Sequence, residues 1–158
     1  MFRIEHLAKH HDKKAFDCGI EPLNRYLQQY ANQHGKKGIS KTYVLTDSDK
    51  PHAILGFYSI SAGSLREAGI TSYPNDLDLP CVLIGRLAVA SHTKGQGIAN
   101  YLMANAFELV KRLSNDVGIA VILVDLKGSH LIGFYERFGF RQTAPDSLTM
   151  YIRVSDLI

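Results

Sequence analysis

Only two cysteines occur in this 158-residue sequence, Cys18 and Cys81, and they lie far apart. That spacing excludes a disulfide framework and offers no paired motif for zinc or redox chemistry. Both are expected to be reduced and structural, in a cytoplasmic setting. No run of about eighteen apolar residues exists, so no membrane span is expected, and Met1-Phe2-Arg3-Ile4-Glu5-His6 does not follow a signal-peptide pattern. There is no internal repeat, linker or low-complexity stretch. Charge is not strongly one-sided either: the net value is +3.

What remains is ordinary globular composition, 46% apolar and 21% charged, which argues against disorder. The length suits one domain, residues 1–158. The small basic excess is unevenly placed. Residues 1–50 hold nine Lys/Arg against six Asp/Glu, and residues 51–158 hold nine against nine. Lys9, Lys13, Lys14, Arg25, Lys36, Lys37 and Lys41 carry the excess. Such a cluster suits either a solvated face or a polyanionic partner.

Along the chain, Phe2–Leu7 reads as a first strand and Lys9–Cys18 as a polar loop. The His10-His11 pair within that loop has no third ligand at zinc-site spacing, so no metal is expected. Pro22 suits a helix start, and Leu23, Tyr26, Leu27, Tyr30 and Ala31 form one apolar stripe that should fail by Gly35. Thr42–Thr46 and Ala53–Ser61 read as strands around an Asp47–Pro51 turn, with Gly56 as a bulge. Gly63–Pro80 lacks a period and reads as a long connection with one turn of helix. Cys81–Val89 is apolar on both faces, as in a central strand, and Arg86 inside it must find a partner or reach a site.

Ile98, Tyr101, Leu102, Ala106, Leu109, Val110 and Leu113 then hold a helical stripe, ended by Ser114–Gly118. Ala120–Leu126 is a further strand, so Cys81–Leu126 forms a strand–helix–strand unit and implies a parallel pair. Ser129 is placed to cap a short helix over His130–Phe138, with Gly139 at its end. Phe140–Gln142 and Leu148–Val154 close the chain as an antiparallel pair. The fold class is α/β: a mixed, mostly antiparallel sheet with a central parallel pair, flanked by helices.

The junction of strand and long helix carries the chemistry. A helix N-terminus reached through Gly95 and Gly97 presents unpaired N–H groups to an anion. A dinucleotide fingerprint would need a third glycine where Asn100 stands, and a Walker loop would need Gly-Lys-Ser/Thr. The segment His92-Thr93-Lys94-Gly95-Gln96-Gly97-Ile98-Ala99 instead resembles the pyrophosphate loop of the GNAT family of N-acetyltransferases. His92 departs from that family's usual Arg or Gln. Phe134-Tyr135-Glu136-Arg137-Phe138-Gly139-Phe140 is similar to the family's late helix, whose tyrosine sits beside the cofactor sulfur. Tyr135 is otherwise read as one member of an apolar stripe with Leu131, Phe134 and Phe138.

A narrower resemblance spans nearly the full chain. Phe16-Asp17-Cys18-Gly19, Leu23-Asn24-Arg25-Tyr26-Leu27, Thr42-Tyr43-Val44, Gly56-Phe57-Tyr58-Ser59 and Gly85-Arg86-Leu87-Ala88-Val89 resemble the acetyltransferase toxins of type II toxin–antitoxin systems. The resemblance implies acetyl transfer from acetyl-CoA to the α-amine of an aminoacyl-tRNA, which blocks translation. It also implies neutralisation by a ribbon-helix-helix antitoxin, and a homodimer. By the same resemblance Leu87, Ala88 and Val89 meet the pantetheine arm, and Lys94, Gly95, Gln96, Gly97, Ile98 and Ala99 cradle the pyrophosphate. Tyr135 becomes the general acid, and Lys13, Lys14, Arg25, Lys36, Lys37, Lys41 and Arg86 are the tRNA-facing candidates.

An α-amine titrates near 7.7–8.0, so such a nucleophile needs little help from a base. Asp125, His92 and His130 are the weak candidates for one. Two other readings stay open at this stage: an acetyltransferase of the same fold acting on a small amine or a protein N-terminus, and a non-catalytic CoA-binding sensor.

Overall fold

A computed structural model of the chain describes residues 1–66, 73 and 77–157. Two compact packing units emerge: Met1–Ser61 with Gly85–Ala106, and Ala62–Ile84 with Phe107–Ile158. Among the described residues, seven strands, numbered β1 to β7 along the chain, follow the order β1-β2-β3-β4-β5-β7-β6.

In the first unit, β1 (Phe2–His6) pairs antiparallel with β2 (Lys41–Asp47), which pairs antiparallel with β3 (Gly56–Leu65). β3 begins three residues later than the sequence pattern suggests, because Ala53 is drawn into an isolated parallel bridge with Asp12. Between β1 and β2 the chain is helical from Glu21 to Lys36. It runs as α1 (Glu21–Arg25), a π-helical turn (Tyr26–Tyr30) and α2 (Ala31–Lys36). The π turn shows in the Ala31 N–H, which reaches back to the Tyr26 carbonyl rather than one residue less. That extra residue breaks the expected stripe. Tyr26, Leu27 and Ala31 are buried, while Tyr30 is turned out and 44% exposed.

Tyr26, Leu27 and Ala31 share one core with Phe16, Val44, Ile54 and Phe57. On the other face of the sheet, Tyr58 donates its hydroxyl to Asn105 at 2.6 Å. Two hydroxyls in β2, those of Thr42 and Thr46, are buried without a hydrogen-bond partner among the described residues.

β4 (Leu79–Val89) leads through a short 3-10 turn, Ser91–Thr93, to α3 (Ile98–Ser114). Ile98, Leu102, Met103, Ala106 and Val110 form the buried stripe of α3, each large member stabilising the fold by about 1.5–3 kcal/mol. Tyr101 and Leu113, expected in that stripe, are instead 53% and 40% exposed. They sit at its margin, where the helical period has drifted off the buried face. Tyr101 keeps an edge-on contact to Phe2, with ring centroids 5.1 Å apart.

Gly56 is not a bulge. A Cβ there would lie 2.9 Å from Ile98, 3.0 Å from Leu102 and 3.0 Å from the Ala88 carbonyl oxygen. Only glycine lets the start of β3 pass this close to α3 and β4.

In the second unit, β4 and β5 (Val121–Asp125) form the parallel pair, in register from Cys81↔Val121 to Leu83↔Leu123. β5 then pairs antiparallel with β7 (Thr149–Arg153), and β7 with β6 (Arg141–Gln142). Cys81, Val121 and Leu123 belong to a small core with Leu65 and Leu79.

After β5 comes a 3-10 turn, Ser129–Leu131, and then α4 (Ile132–Glu136). Ser129 is therefore inside the turn and caps nothing; extended Gly128 occupies the cap position, and its carbonyl accepts the Leu131 N–H at 3.2 Å. Gly139 ends this helix at φ +100°, the left-handed conformation that glycine accepts without penalty. Of the expected connection Gly63–Pro80, its two ends belong to β3 and β4, and most of what lies between falls outside the described residues. No helix among the described residues is long and apolar enough to cross a membrane.

Candidate active site

The loop between β4 and α3 is held rigidly at its entry and left open at its tip. At the entry, the Ala90 N–H donates to the Leu55 carbonyl and the Ser91 N–H to the Asp17 carbonyl, both at 2.8 Å. Thr93, buried, folds its hydroxyl back onto the Ala90 carbonyl at 2.9 Å. At the tip, Lys94, Gly95, Gln96 and Gly97 are exposed. Gly95 and Gly97 take φ of +88° and +76° with open space where a Cβ would project. Ile98, 1% exposed, pins the first turn of α3 to the core. Two left-handed glycines before a helix turn successive N–H groups outward, as a nest for phosphate oxygens. Ala99, half-buried, continues that first turn.

Behind the loop sits a polar clamp that sequence reasoning quoted as a motif without assigning it a role. Asp17 Oδ1 accepts the Gly19 N–H and the Asn24 side-chain amide, each at 2.9 Å. Asn24, buried, also accepts the Cys18 N–H at 2.9 Å. These hydrogen bonds, first to Gly19 and then to Asn24, with the charge of Lys94 adding to them, hold the Asp17 carboxyl below its ordinary range. Gly19 takes φ +84°, and a Cβ added there would lie 3.4 Å from Ser91 Oγ. The signal was available: an Asp-x-Gly turn followed by an asparagine at a helix start.

Leu87, Ala88 and Val89 lie in β4 beyond the last residues laddered to β5. Arg86, expected to need a partner, has one: its guanidinium carbon sits 3.7 Å from the centroid of the Tyr26 ring. Tyr26 is itself fixed, stacked near Phe57 and hydrogen-bonded to Ser40. A guanidinium lying over an aromatic face keeps its in-plane donors free for an anion.

In the second unit, Tyr135 stands on α4 edge-on to Phe140, with ring centroids 5.6 Å apart at 85°. Phe140 is held in turn beside Phe107. Burial pushes the Tyr135 phenol above its ordinary value. Its hydroxyl makes no hydrogen bond among the described residues. A neutral phenol with no competing acceptor is a proton donor in waiting.

The weak base candidates divide by what they touch. Asp125 accepts the Thr149 hydroxyl at 2.8 Å, while His92 and His130 are exposed. The basic residues of the N-terminal third are also dispersed. Lys36 and Lys41 line one cleft together. Arg25 is 4.0 Å from Glu21, and Lys13 and Lys14 directly follow the Asp12 bridge. Lys37 follows α2 and is exposed.

His10 and His11 do have a third neighbour, one the linear spacing did not reveal. Glu5 Oε1 lies 2.8 Å from His11 Nε2 and 3.3 Å from His10 Nε2. His11 Nδ1 accepts the Ala8 N–H at 2.9 Å, so its proton resides on Nε2 and is donated to Glu5. These hydrogen bonds tie β1 to the loop that follows it.

Comparison with known proteins places this geometry. Residues 39–142 match the acetyltransferase (GNAT) domain family. The chain is 24% identical over 159 residues to the probable toxin TacT of Sinorhizobium fredii (strain NBRC 101917 / NGR234), covering 93% of this chain and 87% of that protein. It superposes on AtaT complexed with acetyl-methionyl-tRNAfMet with a TM-score of 0.89 and 26% identity, covering 98% of this chain and 96% of the other. It also superposes on a tyrosine-to-phenylalanine mutant of AtaT bound to acetyl-CoA and the C-terminus of the antitoxin AtaR. There the TM-score is 0.84 at 25% identity, over 99% and 96% of the two chains. With a strand, a two-glycine turn and a long helix inside the matched segment, the chain belongs to the GNAT acetyltransferase family.

Proposed function

We propose that this protein transfers the acetyl group of acetyl-CoA to the α-amine of an amino acid esterified to tRNA, and that it thereby arrests translation as the toxin of a toxin–antitoxin pair. The observation that carries the reading is the outward nest of Gly95 and Gly97 at the start of α3, in a chain that superposes closely on AtaT bound to an acetylated aminoacyl-tRNA.

Residues 1–158 act as one N-acetyltransferase domain. Acetyl-CoA supplies the activated thioester. The backbone N–H groups of Lys94, Gly95, Gly97, Ile98 and Ala99 hold its pyrophosphate, while the Gln96 N–H closes the loop onto the Thr93 carbonyl at 3.3 Å and leaves its side chain to reach the phosphates. The helix dipole of α3 adds to that attraction. Exposed Lys94 contributes a full charge. His92 in place of the family's usual Arg or Gln alters little, because backbone amides make the cradle. The backbone of Leu87, Ala88 and Val89 guides the pantetheine arm.

Tyr135 donates its proton as the thiolate departs, and its raised pKa keeps that proton in place at neutral pH. The attacking α-amine is largely neutral near pH 8 without assistance. That suits a chain whose acidic candidate, Asp125, already accepts a hydrogen bond from Thr149. Lys13, Lys14, Arg25, Lys36, Lys37, Lys41 and Arg86 face the tRNA. The protein works in the cytoplasm as a homodimer, and a ribbon-helix-helix antitoxin silences it.

The direct test is mass spectrometry of the amino acids released from charged tRNA after incubation with the protein and acetyl-CoA. An acetylated α-amine is expected. Unmodified amino acids across all charged tRNAs, with acetyl-CoA still bound by the protein, would overturn the reading.

A further inference from the structure

A cleft of about 220 Å³ opens in the first unit between α2 and the β1–β2 pair. Asn32 and Lys36 border it from α2, His6 from the end of β1, and Lys41 and Thr42 from the start of β2. No carboxylate lines it, and no acidic side chain of the described residues lies within ion-pair distance of Lys36, Lys37 or Lys41. Lys41 spends one of its three N–H donors on the Gly35 carbonyl, at 2.8 Å, which fixes the ammonium at the rim and leaves two donors over. The lining adds the apolar Leu7 and Ala31 to these polar and basic groups.

We infer that this cleft is a nucleotide subsite, taking one phosphate and its base from the RNA that the protein binds. This rests on the tRNA-directed reading above and adds to it a discrete place on the surface. Three observations favour RNA. The cationic rim beside half-buried Leu7, with Asn32 and Thr42 for polar contacts, matches a nucleotide, an anionic phosphate joined to a base with apolar faces and polar edges. The volume falls below the roughly 300–1,000 Å³ that encloses a whole small ligand, as expected for one unit of a longer chain. His6, which lines the cleft with its ring 4.5 Å from that of Tyr43, adds a flat aromatic surface of the kind on which bases stack.

Gly35 supplies an unusually clean test. It has no left-handed φ, and a Cβ added to it meets only the Ser40 carbonyl, at 3.8 Å. Gly35→Leu therefore fills the cleft without changing charge, and it replaces a poor helix former with a good one. Binding of fluorescently labelled deacylated tRNA would be followed by anisotropy across a salt series, with circular dichroism to confirm folding.

Gly35→Leu is expected to weaken binding about tenfold. Lys36→Gln and Lys41→Gln should each weaken it several-fold and reduce the slope of log K against log salt by about 1. Lys50→Gln, in the exposed turn after β2, should change neither. Wild-type affinity in Gly35→Leu would overturn the proposal, because the lysines would then be only part of a diffuse basic face. Loss of polyglutamate-peptide binding in that variant, with tRNA binding intact, would overturn it in favour of a protein partner.

The two readings fail separately. A wild-type protein that binds tRNA through the cleft but acetylates none of it sinks the transferase reading and leaves the subsite standing. Normal acetylation and normal tRNA affinity in Gly35→Leu sink the subsite alone.

Discussion

The backbone N–H of Ser91 donates to the carbonyl of Asp17 at 2.8 Å, tying the entry of the glycine loop to a segment 74 residues earlier in the chain. The side chain of the same aspartate is committed to Gly19 and Asn24. Position of the loop is thus set by a polar clamp around Asp17, and its openness by two glycines.

Asn24→Ala should loosen that clamp. It strands the buried Cys18 N–H and removes a partner of Asp17, at a cost of about 1–3 kcal/mol. Denaturant unfolding would measure the loss, and calorimetry should show weaker acetyl-CoA binding. Asp17 gives the clamp a pH dependence. Its carboxyl is held below the ordinary range, so its stabilising contribution is complete above the unfolded value near 3.9 and fades as pH falls through its folded value. Unfolding midpoints of wild type and Asp17→Asn should converge in acid.

Gly97→Asp should abolish acetyl-CoA binding, because it sets a carboxylate against the pyrophosphate and forces a side chain to φ +76°. Gly97→Ala separates the two effects. With open space around its Cβ, alanine carries only backbone strain of roughly 1–2 kcal/mol and should retain measurable affinity. Equal affinity of the aspartate variant and the wild type by calorimetry would remove the loop from the acetyl-CoA site.

Tyr135→Phe should leave stability nearly unchanged, because the lost hydroxyl has no hydrogen-bond partner among the described residues. Acetyl-CoA affinity should also persist, while turnover drops by about 10²–10⁴. Burial raises the phenol above its ordinary value near 10. The proton it donates therefore stays bound through that pH, and any alkaline decline of the rate below pH 10 belongs to another group. The same shift stabilises the fold fully below pH 10 and is lost as pH rises through the folded value. In stopped-flow rates across pH 6–10, the profile of Tyr135→Phe should therefore keep the shape of the wild-type profile at a lower level; a decline below pH 10 that vanishes in the variant would contradict the assignment.

Thr46→Val should stabilise the protein by about 1 kcal/mol. The Thr46 hydroxyl is buried without a partner among the described residues, so removing it relieves a desolvation cost at constant shape. Thermal unfolding should show a higher midpoint, with acetyl transfer unaffected.

Much of this architecture is legible in the sequence because its signals are local. The α3 stripe from Ile98 and the two glycines before it belong to short segments whose period or turn chemistry speaks for itself. The readings that shifted depend on backbone conformation and contacts that the linear pattern does not display. Gly56 looked like a bulge because the side chains crowding it, Ile98 and Leu102, are more than forty residues away. Ser129 looked like a cap because nothing local shows that Gly128 is already extended. Glu5 joins His10 and His11 only once β1 and its following loop fold back together. The Asp17–Asn24 clamp and the cleft at Lys36 and Lys41 likewise come into being only when separate segments meet.

The π turn has a consequence in chain length. Such a turn holds one residue more than the α-helical turn it replaces, and one residue is about 100° of rotation. Up to Tyr26 the helix is registered by Asn24 and the clamp; after it, Asn32, Gly35 and Lys36 are registered by that surplus residue. An unbroken α-helix over the same segment would present a neighbouring set of side chains to β1 and β2. Which groups meet at this end of the protein is thus decided by a count of residues as much as by their chemistry, and loss of a single codon near Gln29 would redraw that surface more thoroughly than most substitutions.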